Sequence, residues 1–140
     1  MDRGAPGVAG VVMETHIDMQ VINDKSGSLM IYENFPFEVK RTMALYMLLG
    51  RQRGGHANHE CEQVFSIVSG EVVLKLETAS GREEYHMRQN GRGIYVPALA
   101  WRTLMAKTRF ACVLIHASTI YDESDYIRDY DEFKATIQQS

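Results

Sequence analysis

His56, Asn58 and Glu60 fall at alternate positions in the run Gly55-His56-Ala57-Asn58-His59-Glu60-Cys61-Glu62-Gln63. Side chains of an extended chain alternate between faces, so these three share one face and His59 points to the other. His59 could join them only if a bulge reset the phase. A transition-metal site needs several His, Cys or carboxylate donors converging on one ion. One imidazole, one amide and one carboxylate argue against such a site. Proton transfer suits the face better, because an imidazole titrates near neutrality and is a competent general base. Asn58 can hydrogen-bond but cannot shuttle a proton near pH 7. On the residues alone, two roles stand for His56: general base or structural histidine.

Three arginines could serve an anionic ligand. Arg41, Arg53 and Arg102 lie in or beside apolar runs, where a charge needs a partner. The planar guanidinium fork matches phosphate oxygens better than a lysine does; the other reading of these arginines is a surface salt bridge. Tyr46 has apolar neighbours and by itself reads as core packing. Trp101 reads as filling the interior rather than stacking on a planar base. His16, His86 and His116 read as structural or solvated. Cys61 and Cys112 have no adjacent base motif and no Cys-x-x-Cys spacing, so they read as reduced thiols rather than nucleophiles.

The elements that must hold these groups are short strand-like runs separated by turn residues, the pattern of an all-β sandwich or barrel. Strands are predicted over 19–22, 29–33 and 39–49, the first two separated by the turn cluster Asn23–Ser28. Gly54-Gly55 allow a bend or a close backbone approach. Residues 63–68 and 71–76 flank Ser69-Gly70 as a predicted hairpin. The polar run 82–87 reads as an edge strand, Gln89-Asn90-Gly91 as a turn, and 93–97, 100–106 and 110–117 as further strands. The tail 122–137 carries helical spacing (Ile127, Tyr130, Phe133, Ile137) with acidic residues at its start, which suits a helix N-terminus.

A chain of 140 residues with net charge −3 is long enough for one domain with a true core. Its mild charge does not suggest a nucleic-acid binder. No apolar run approaches the ~20 residues of a membrane span. Residues 1–15, with Gly4, Pro6, Gly7 and Gly10, read as a flexible leader without a signal-peptide pattern. Together with two free thiols this points to a cytoplasmic protein.

Particular runs, in order, carry a family resemblance. They are Lys40-Arg41 opening a long strand with Tyr46, Arg53-Gly54-Gly55-His56-Ala57, Glu62-Gln63-Val64, Ser69-Gly70, Gly93-Ile94-Tyr95-Val96-Pro97, Trp101-Arg102, and the tail from Tyr121 to Tyr130. The stretch from Gly55 to Gly70 resembles the first signature of a cupin barrel; that from Gly91 to Trp101 resembles the second, without its His. Taken together the chain resembles the sugar 3,4-ketoisomerases of deoxysugar biosynthesis, which act on dTDP-4-keto-6-deoxyglucose. The resemblance implies an all-β, cupin-type jelly roll: a double antiparallel sheet with a short C-terminal helix, as a single domain over 16–140. It also implies a metal-free, cofactor-free enzyme, a homodimer with N-terminal strand exchange, and a dTDP-linked 4-keto-6-deoxy sugar as ligand.

By the same resemblance His56 is the base that moves a proton between C3 and C4 through an enediol, shifting the keto group from C4 to C3. Tyr46 lines the sugar site, Arg41 joins the substrate-binding set, and Arg53 and Gln63 match positions near the substrate. Arg102 occupies a variable position with an implied bearing on product stereochemistry. The family pair reads His-Ala-His, its second His handling protons on the sugar oxygens; this chain reads His56-Ala57-Asn58. That departure implies reduced or abolished activity and leaves two alternatives: a non-catalytic dTDP-sugar-binding module, or a metal-dependent cupin enzyme.

Overall fold

The computed structural model describes residues 15–89 and 92–139. Of the expected leader only Thr15 falls within them, and of the expected Gln89-Asn90-Gly91 turn only Gln89. In chain order the strands are β1 (His16–Asp18), β2 (Gln20–Asp24), β3 (Gly27–Ile31), β4 (Arg41–Leu48), β5 (Gln52–Asn58), β6 (Gln63–Ser69), β7 (Glu71–Thr78), β8 (Gly81–Arg88), β9 (Arg92–Val96), β10 (Trp101–Ala106), β11 (Phe110–Ala117) and β12 (Tyr126–Ile127), followed by the helix α1 (Tyr130–Gln138).

Two antiparallel five-stranded sheets form the body, in the orders β1-β9-β6-β11-β4 and β12-β5-β10-β7-β8; β2 and β3 make a separate hairpin. Inward side chains of the two sheets share one core, with Met47, Phe65, Ile67, Ile94, Val113 and Ile115 from the first against Val72, Leu74, Leu76, Leu104 and Ala106 from the second. A fully buried Phe or Leu here contributes roughly 1.5–3 kcal/mol. This is the β jelly roll expected from the sequence.

Several local expectations change in three dimensions. Residues 63–68 and 71–76 do not pair with each other: β6 lies between β11 and β9, and β7 between β10 and β8. The Ser69-Gly70 corner instead carries the chain from one sheet to the other. Gly70 has φ 79°, and a Cβ there would lie 2.3 Å from the Phe110 carbonyl oxygen, so the close crossing requires glycine. The cluster 23–28 tightens to a short turn between β2 and β3, closed by Asp24 Oδ1 accepting from the Ser26 amide at 2.7 Å. The polar run 82–87 is, as expected, part of an edge strand, β8.

The tail is not one helix. Glu123–Asp125 form a short 3₁₀ turn, Tyr126–Ile127 pair with β5, and the helix starts only at Tyr130. Asp122 and Asp129 each cap a turn through their side chains, which divides the stretch at two N-caps. Ile127, Phe133 and Ile137 are buried against Ala57, packed with Trp101 and Tyr130. Trp101 therefore does not fill the interior. It packs beneath α1, ring centroids 5.3 Å from Tyr130 and 5.6 Å from Phe133. No helix among the described residues is long and apolar enough to cross a membrane.

Candidate active site

Strand β5 delivers His56 and Asn58 to the interior side of the second sheet. Gly54 and Gly55 both have positive φ, 88° and 78°, and a Cβ on Gly54 would meet the Arg102 carbonyl oxygen at 2.7 Å. The register between β5 and β10 shifts at Arg102/Thr103, so that Arg102 stands opposite His56 while Thr103 pairs with Gly54. Gly54 thus lets β5 close on β10, and the shifted register sets His56 opposite Arg102. The strand ends at Asn58; His59 and Glu60 bend away and are exposed, so Glu60 does not share the face of His56.

Arg102 is 1 % exposed. Its Nε donates to the Ala100 carbonyl at 3.1 Å, and its Nη1 donates to Asn58 Oδ1 at 2.9 Å and to Gln63 Oε1 at 3.1 Å. Asn58, fully buried, donates from Nδ2 to Asp125 Oδ2 at 3.1 Å. Asp125 also accepts from the amides of Glu60 (2.8 Å) and Cys61 (3.2 Å), fixing the turn after β5. Among the described residues no carboxylate touches Arg102 directly; neutral amides solvate the buried guanidinium. Burial pulls Arg102 down to about 10, the Cys61 thiol, Tyr126 and Asp125 opposing that fall.

The tail closes this cluster from the chain's far end. Tyr126 pairs with Asn58 across β12 and β5, and its ring lies 4.9 Å from the His56 ring, tilted by 56°. Arg41, at the start of β4, donates from Nη1 to the Tyr126 hydroxyl at 3.5 Å and approaches Cys61 Sγ through Nη2 at 3.8 Å. Arg128 stacks its guanidinium 4.5 Å from the Tyr126 ring centroid and is held by Glu123 at 2.8 and 3.0 Å. Burial first, then the charges of Arg102 and Arg128, push His56 down to about 4. The imidazole is neutral at pH 7, the form a general base requires.

His56, Asn58, Gln63, Arg102 and Arg41 are thus brought together. Tyr46 and Arg53 are not. Alternation along β4 turns Met43, Leu45 and Met47 to the core and leaves Tyr46 81 % exposed on the outer face. Arg53, just before the glycine pair, is also exposed. Asp125 and Tyr126 join the site without having been singled out by local chemistry, although both lie in the tail run that carries the resemblance. Among the described residues, no group of three or more His, Cys, Asp or Glu could hold a metal ion.

The cluster is built yet incompletely satisfied. Among the described residues, buried polar side-chain atoms without a hydrogen-bond partner are Arg41 Nε, His56 Nδ1, Arg102 Nη2 and His116 Nε2. Three of these four belong to the one cluster, whereas buried polar groups are as a rule paired. His116 lies elsewhere, against Phe35 and Tyr32.

Comparison with known proteins agrees on one group. The family model "FdtA: WxcM-like, C-terminal" matches residues 13–138. A TDP-4-oxo-6-deoxy-alpha-D-glucose-3,4-oxoisomerase of Aneurinibacillus thermoaerophilus is 33% identical over 125 residues, covering 86% of this chain and 90% of that protein. The crystal structure of QdtA, a sugar 3,4-ketoisomerase from Thermoanaerobacterium thermosaccharolyticum in complex with TDP, superposes with TM-score 0.82 at 29% identity, over 89% of this chain and 93% of its own. That of a 3,4-ketoisomerase from Helicobacter canadensis gives TM-score 0.80 at 31% identity, over 88% and 96%.

Proposed function

This chain belongs to the FdtA family, and from that premise we propose that it is a metal-free sugar-nucleotide 3,4-ketoisomerase, moving the keto group of TDP-4-keto-6-deoxyglucose from C4 to C3. The observation that carries this reading is the trio of unpartnered buried atoms on Arg41, His56 and Arg102. Leaving such groups unpaired costs about 1–3 kcal/mol each, more for charged ones, a cost that a ligand bearing several oxygens would remove.

In this reading His56 takes the proton from C3 and returns it to C4 from the same side of the ring, by way of an enediol. A positioned neutral imidazole suits both steps. Arg102, held by Asn58 and Gln63 opposite His56, sets the charge behind the base and through it bears on which configuration results at C4. Arg41 faces the phosphates or the oxygens nearest them; Arg53, exposed just before Gly54, is left without a substrate contact in this reading. The non-catalytic alternative rests on Asn58 standing where the family pair has its second His; against it stands His56, half-buried opposite Arg102 and held neutral.

The working unit is a homodimer with exchange of N-terminal strands, formed from the single domain 16–140, and the compartment is the cytoplasm. Two features support the dimer. The hairpin β2–β3 forms a sheet of its own, and an isolated hairpin is marginally stable. The edge strand β4 exposes Tyr46 and Leu48, beside Phe110 of β11, an apolar surface of the kind that associates. In this arrangement Tyr46 serves the subunit contact.

The direct test is incubation of the protein with TDP-4-keto-6-deoxyglucose, followed by proton NMR. Appearance of the 3-keto isomer is expected; an unchanged substrate under conditions where the sugar nucleotide binds would leave a binding module instead.

A further inference from the structure

We propose that the hydroxyl of Tyr126 is the second proton carrier of the site, handling protons on the sugar oxygens O4 and O3 while His56 handles the carbon-bound proton. This rests on the ketoisomerase reading. Shifting a carbonyl between neighbouring carbons needs two proton movements at carbon and two at oxygen. Asn58, on the same face as His56, cannot make the oxygen transfers near pH 7. Another group within reach of His56 must do so.

The other dissociable groups around the site are otherwise engaged, Glu123 by Arg128 and Tyr121. Cys61 is fully buried and bonded to the Glu62 carbonyl. Both oxygens of Asp125 accept hydrogen bonds from Asn58 or the 60–61 amides. Tyr121 is 60% exposed and donates to Glu123 at 2.6 Å; Tyr95 donates to Glu62 at 2.5 Å. His59 is exposed beyond the end of β5. Tyr126 differs from all of these: it is half-buried, its ring adjoins His56, and its oxygen accepts from Arg41. Its ring contacts both the imidazole and the Arg128 guanidinium, itself fixed by Glu123. Arg41 therefore stands at the oxygen where negative charge develops when the phenol gives up its proton, and Arg128 adds a second positive charge over the ring.

The chemistry balances. His56 removes the C3 proton as the C3=C4 bond forms, and the π electrons of the C4 carbonyl take the phenolic proton at O4, giving the 3,4-enediol and a tyrosinate. The imidazolium then protonates C4 as the tyrosinate removes the proton from O3. The carbonyl re-forms at C3, and both side chains return to their starting forms.

The test is Tyr126→Phe, which keeps the ring against His56 and deletes only the hydroxyl. The expected result is a kcat lower by about 100-fold or more, the usual worth of a placed acid–base group, with KM and TDP affinity within about threefold of the parent, the pattern of an interaction made in the transition state. A kcat within threefold of the parent overturns the inference. Should the variant fold poorly, 3-fluorotyrosine in place of Tyr126 decides: this more acidic phenol must move the alkaline limb of the kcat profile downward, and an unmoved limb overturns the proposal. An inactive parent protein would overturn the ketoisomerase reading and this inference with it; an active parent with an equally active Tyr126→Phe variant overturns this inference alone.

Discussion

Asn58 links Arg102 to Asp125: its Oδ1 accepts from the guanidinium at 2.9 Å and its Nδ2 donates to the carboxylate at 3.1 Å, with both Asn58 and Arg102 out of contact with water. One amide thus joins a buried cation to the residue that pins the turn after β5. A residue that looks like a lost catalytic group is, in place, a structural coupling within the site.

Replacing that amide should be costly. Asn58→Leu leaves Arg102 Nη1 with Gln63 alone and takes one donor from Asp125. A loss of about 2 kcal/mol is expected, within the range for stranding a buried polar group. Urea denaturation of the two proteins measures it; unchanged midpoints would mean that the bridge contributes nothing.

His56 has its ordinary value of 6.5 in the unfolded chain and about 4 in the folded one. The unfolded state therefore binds more protons between those two pH values. Stability from the neutral ring is complete above pH 6.5 and declines as pH falls toward 4. The same displacement places the acid limb of kcat/KM near 4 rather than 6.5. Arg102→Met removes one of the two charges that depress the ring, so the limb should move upward. A limb at 6.5 in the parent protein would contradict the burial of His56.

His56→Asn keeps size and hydrogen bonding but removes the base. Exchange of the C3 proton with deuterated solvent, followed by NMR, should slow by about 100-fold or more. Retained exchange would assign the abstraction to another group.

The outer face of β4 offers a test of assembly. Tyr46→Glu together with Leu48→Glu places two charges on the exposed apolar edge, where an isologous contact would bring them near their own copies. Solution scattering should show the mass fall from dimer to monomer, whereas a parent chain that is already monomeric would remove the interface. Dialysis against a chelator should leave turnover unchanged in the same preparation, and a loss restored by one particular metal ion would reverse the metal-free assignment.

Much of the fold was legible because strand signals are local. Apolar runs between turn residues marked most of the strands, and alternation along 56–58 put His56 and Asn58 on one face, where the structure has them. The tail misled because its 3.6-residue spacing passes through Asp122 and Asp129, and those caps divide it into a turn, a short strand and a helix. The supposed 63–76 hairpin failed for a related reason: Ser69-Gly70 reads as a turn whether the chain folds back beside itself or crosses to the facing sheet.

The sequence by itself determined the composition of the site: a single imidazole on its face, an amide two residues on, and arginines among apolar neighbours. Only the tertiary structure decided which sides faced inward. It turned Arg102 into the core and its neighbour Trp101 outward beneath α1, the reverse of their hydropathies, and it placed Tyr46 on the outside. It also laid Tyr126 against His56, a contact across most of the domain. Alternation is a property of one strand, but its phase relative to the core, and the pairing of distant strands, depend on packing that no short stretch of chain contains.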